Sequence, residues 1–133
     1  MRVTSSIGPI IAGIAAAILL AGVQRVSAET PVEQTFLRYH AAIHAAAVCE
    51  GRHLEQNSME DPDASKIAMN QQRMGAVINA KVMGEIAAGR RLSLIEAAKA
   101  DVDAAVKAKG CDGDEAKDWL QLFHAELEPV IAE

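Results

Sequence analysis

The stretch GCDGDEAKDWLQLFHAELEPV, residues 110–130, decides the fold class. Gly110 stands where a helix wants a left-handed last residue. Asp112-Gly113-Asp114-Glu115 follows at once. Acidic groups there accept from the orphan N–H groups of a new helix and complement its dipole. Ala116, Trp119, Leu120, Phe123, Leu127 and Val130 then recur every three or four residues, which puts them on one helical face. One helix stops and the next starts within a few residues.

The same signs recur toward the N-terminus. Ser93-Leu94-Ile95-Glu96 has the form of a capping box, with an apolar stripe of Ile95, Ala98, Val102 and Val106 behind it. Gly89 reads as the stop of the helix before. Asp61-Pro62-Asp63 opens that helix, whose stripe is Ile67, Met74, Ile78, Val82 and Ile86. Thr30-Pro31-Val32-Glu33 pairs a capping hydroxyl with Pro at the first helical position and Glu at the third. Its stripe is Val32, Phe36, Tyr39, Ile43 and Ala47. Runs of Val, Ile and Thr with period two are absent. The spacing predicts an all-α chain, a small antiparallel four-helix bundle with helices near 31–50, 62–88, 93–109 and 113–130. Only the first connection, 51–61, is long. Phe36, Tyr39, Trp119 and Phe123 all fall on the first and fourth helices, so those two are expected to pack together.

Residues 1–28 read differently. Arg2 gives a positive start, Ile7 to Val23 is an uncharged apolar run, and Val26-Ser27-Ala28 offers small residues for cleavage. This is the pattern of a secretory signal peptide, which makes residues 29–133 the mature helical domain. The expected location is the bacterial periplasm or the exterior, with no stable membrane anchor after cleavage. No cysteine follows the apolar run to carry a lipid.

The 133 residues carry a net charge of −5, and losing Arg2 and Arg25 with the first 28 takes it to −7. So acidic a chain lacks the positive field that nucleic acid or anionic lipid requires. A mature domain of about 100 residues buries roughly two-thirds of its unfolded surface, enough for one core. It has no room for a Rossmann or barrel catalytic domain.

Cys49 lies near the end of the first helix and Cys111 in the turn between the third and fourth. In an up-down-up-down bundle both reach the same pole. An even cysteine count in an exported chain favours a disulfide. One geometric tension accompanies it. On a straight helix Cys49 points away from the Phe36 stripe, toward the side of Ala42 and Ala45, and needs a second neighbour there.

His40 and His44 are one turn apart and His124 lies on the fourth helix. If those helices are neighbours, the three imidazoles form a candidate site for a divalent transition metal. No Glu sits between His40 and His44 in the manner of a zinc protease, and His53 projects to another side. Cys49-Glu50-Gly51-Arg52-His53 lacks the second cysteine of a haem attachment motif. Met59, Met69, Met74 and Met83 are too dispersed for a copper site and read as core filling. Arg90-Arg91 reads as a pair of cations at a helix end, complementing its dipole. Asp101 and Asp103 do not share a face, and Asp112, Asp114 and Glu115 lack the alternation of an EF-hand loop.

No catalytic motif is present. The chain is therefore expected to be a non-catalytic binding or interaction protein without a cofactor: a stress chaperone, an inhibitor or an assembly subunit. Its expected partner is another envelope protein. The alternative is a small metal-binding or metal-sensing protein using His40, His44 and His124.

Overall fold

The computed structural model describes residues 29–56, 58, 60–82 and 85–131. The signal peptide expected over 1–28 lies outside them, as do Met59 and Met83. The described residues are all helical in their regular structure, with four helices and no strand. These are α1 (Pro31–Glu50), α2 (Ala64–Val82), α3 (Ala88–Lys109) and α4 (Asp114–Leu122). A π turn, Phe123–Leu127, and a 3-10 turn, Glu128–Val130, extend α4. None of these helices is long and apolar enough to cross a membrane.

α1 has the bounds its caps predict. Gly51 and Gly110, both with positive φ, end α1 and α3. The Gly110 N–H returns to the Val106 carbonyl at 2.7 Å. α2 starts two residues later than the pattern suggests. Asp61 accepts the Asp63 N–H at 2.9 Å, and the Asp63 carbonyl takes the first helical bond, from Ile67. Pro62 thus belongs to the turn before the helix.

The α2–α3 junction corrects the sequence reading most. α2 ends at Val82 rather than 88, and α3 begins at Ala88 rather than 93. Gly89 is not a left-handed stop, and Ser93 lies inside the helix. Tertiary contacts hold the first turn of α3 where no side-chain cap does. Arg90 bonds Glu33 of α1, and Arg91 donates to the Ile86 carbonyl and to Asn79. The two arginines therefore occupy the N-terminal turn of α3, not the helix end that their charge suits.

α4 also departs from one regular helix over 113–130. Pro129 has no N–H, and its ring would strike the carbonyl four residues back. The helix widens to a π turn before it and tightens to a 3-10 turn around it.

α1 is the hub. Its buried residues are Phe36, Leu37, Tyr39, Ala41, Ala42, Ala45 and Ala46, a set centred on small side chains rather than on the stripe of large ones. Ala42 and Ala45 share a face with Cys49, and that face meets the α3–α4 turn through a Cys49–Cys111 disulfide with Cα atoms 5.7 Å apart. This supplies the second neighbour that the cysteine needs. Along α1 and α3 the pairs run in the same order: Glu33 with Arg90, His44 with Asp103, then Cys49 with Cys111. α4 also packs on α1, where Tyr39 donates to Glu126 at 2.8 Å. On α3 the buried line is Leu94, Ala98 and Val102, with Ile95 and Val106 half-buried. α2 buries Ile67, Asn70, Met74, Ile78 and Val82 against α1 and the chain's last turns. It makes no backbone approach to α3 within 8 Å.

Candidate functional site: a cleft between α2 and α3

Because the backbones of α2 and α3 each approach α1 but not each other, a cleft of about 280 Å³ opens between them. Its floor is apolar, from Ile43, Met74, Ile78 and Ile95. Its polar lining is His40, Glu55, Gln71 and Lys99. Gly75 of α2 completes the wall, and a Cβ there would meet nothing within 4 Å.

The polar groups differ in what they have left to offer. Glu55 has a partner on each oxygen: one meets His44 Nδ1 at 3.0 Å and the other meets the Lys99 ammonium at 3.0 Å. Those two partners hold its carboxyl below the ordinary range despite opposing burial, and Glu55 in turn raises Lys99. Gln71 donates to the Leu54 carbonyl at 3.2 Å. Among the described residues His40 has no hydrogen-bond partner; its ring leans on Phe36, centroids 4.4 Å apart. Burial, helped by Lys99 and Arg91, pushes its pKa down to about 4. At neutral pH the ring is uncharged, with one N–H to give and one nitrogen to receive.

The three histidines expected to share a metal sit in three settings. His40 faces the cleft. His44 bridges Glu55 and Asp103, at 3.0 and 2.9 Å. His124 bridges Glu50 at 2.7 Å and Glu128 at 3.0 Å, and these bonds raise its pKa. His124, raised by its two carboxylate partners, favours the imidazolium, which is the form a metal cannot use, and both ring nitrogens of His44 already have carboxylate partners. Among the described residues, the group with three donor atoms all within 4.8 Å of one another is His53, Asp61 and Asp63 instead. Its closeness follows from the loop: Asp61 accepts from His53 at 2.7 Å with one oxygen and from the Asp63 N–H with the other.

The cleft itself escaped the sequence reading. His40 drew notice only as a ligand beside His44, and Glu55, Gln71 and Lys99 drew none. One signal was present: Gly75, a glycine inside a helix and remote from either end. No family model, curated protein or solved structure matches the chain.

Proposed function

We propose that the chain is an exported binding protein without catalysis, an antiparallel four-helix bundle of the bacterial periplasm that takes a small molecule into the cleft between α2 and α3. The observation carrying this reading is an unpartnered imidazole above an apolar floor, beside a helix glycine under open space. Gly in a helix interior costs roughly 0.5–1 kcal/mol relative to Ala. No neighbour requires that loss at Gly75, which borders the open cleft.

The surface favours a small ligand over a protein partner. The exposed large apolar side chains among the described residues are Val48, Met69 and Leu92, one on each of α1, α2 and α3. Single exposed apolar residues are ordinary, while a protein-binding face needs a contiguous patch. The Cys49–Cys111 disulfide suits an oxidising compartment, and a cleaved signal over 1–28 would deliver the chain there.

Native mass spectrometry of the protein recovered from its own cell envelope tests this. The expected species starts at Glu29, lacks two hydrogens and carries a small-molecule adduct that the Gly75→Phe variant has lost. A bare chain, or one carrying only another protein, overturns the cleft reading. A mass that includes residues 1–28 overturns cleavage.

A further inference from the structure

We propose that the cleft takes a small amphipathic carboxylate, its apolar body over Ile43, Ile78 and Ile95 and its head bonded to the Lys99 ammonium and the His40 imidazole. This names the occupant and rests on the cleft being the binding site.

The head group follows from the donors left over. Each Glu55 oxygen already accepts one bond, so an incoming amine would have to share the carboxylate with His44 and Lys99. Lys99 has three N–H groups and gives one to Glu55, leaving two. His40 adds a third unused donor. The charged side chains acting on the His40 ring are cations, Lys99 on the cleft wall and Arg91 behind it. Lys99 itself stands among Glu55, Glu96 and Asp103, so it is the spare N–H donors rather than a net positive field that complement an anion, and charge-assisted bonds to a carboxylate are the stronger kind. Glu55 on the same wall, already paired with Lys99, repels a dianionic phosphate more strongly than a monoanion. The volume fits a short chain: about 280 Å³ lies at the lower edge of ligand pockets.

The test is a titration of the intact, disulfide-bonded protein with sodium octanoate, octanol and octylammonium, followed by amide and His40 ring NMR signals. Octanoate is expected to shift His40 and the amides around Gly75 saturably, and to bind about tenfold or more tighter than octanol. Hexanoate should bind roughly tenfold more weakly than octanoate, from two fewer buried methylenes. Lys99→Gln should remove the preference for octanoate over octanol, and Gly75→Phe should remove binding of both. If Gly75→Phe does not fold, Gly75→Leu serves in its place. Equal binding of octanol, or tighter binding of octylammonium, overturns the carboxylate while leaving the cleft as a site. Octanoate shifts elsewhere, unchanged by the Gly75 variants, overturn the assignment as surface adsorption. No binding by any of the three also overturns it, and the envelope adduct then decides the cleft separately.

Discussion

α1 is gripped differently on its two sides. Toward α3 and α4 it presents alanines, Ala42, Ala45 and Ala46, which are fully buried and let the neighbouring backbones come close. That side is also pinned by Cys49–Cys111. Toward α2 it presents Ile43 and His40, and the helix there stands off from α3 with a cleft between them. One side has no volume to spare and the other keeps some unfilled. The difference separates two tasks within one small domain: the alanine side holds the fold, and the α2 side has room to bind.

The largest expected effect breaks the firm side. Reducing the disulfide, or replacing both cysteines with alanine, should destabilise the protein by up to about 4 kcal/mol for a bridge closing a loop this long. Urea unfolding of oxidised and reduced protein measures it; an unchanged midpoint would mean that alanine packing alone holds that side.

Next comes acid. The folded His40 ring stays neutral down to about pH 4, while in the unfolded chain it protonates near 6.5. Between those values the unfolded state binds more protons, so stability is intact above 6.5 and falls as pH drops toward 4. The loss is on the order of 3 kcal/mol. His40→Gln should flatten the urea midpoint across that window. Glu55, Glu126 and Glu128, whose carboxyls are held below the ordinary range, account for losses at still lower pH. A variant with the same acid slope as the parent would place the sensitive group elsewhere.

Two substitutions that add volume, one on each side of α1, sharpen the contrast. Ala45→Leu forces a large side chain into a filled contact and should cost about 1–3 kcal/mol. Gly75→Ala adds a methyl where nothing stands within 4 Å and should stabilise by about 0.5–1 kcal/mol. Denaturation of the pair should show opposite signs. Destabilisation by both would mean that the α2 side is as closely filled as the other.

The sequence made the firm side easier to read than the loose one. Thr30-Pro31 and Gly110 mark helix ends by local chemistry that needs no tertiary context, so α1 and the end of α3 were legible. The disulfide followed from where the helices end. The α2–α3 junction was not, because its ordering contacts are remote: Arg90 to Glu33 and Arg91 to Asn79. The stripe on α1 was drawn through its large side chains, although a hub helix packs closest through small ones. The cleft was least legible, since a gap is a relation between two helices that a lone helix glycine, Gly75, does not by itself specify. The spacing of His40 and His44 shows that they share a face, but not that Glu55 and Asp103 stand at both nitrogens of His44.

The bridge from Cys49 to Cys111 closes a covalent ring that contains α2, α3 and the connection leading into α2. A peptidase that cut once near residues 56–60 would therefore leave a single molecule, its two pieces joined through sulfur. The nicked protein would run as one band without reductant and as two with it. Wherever peptidases meet it, such a chain outlives its first cut.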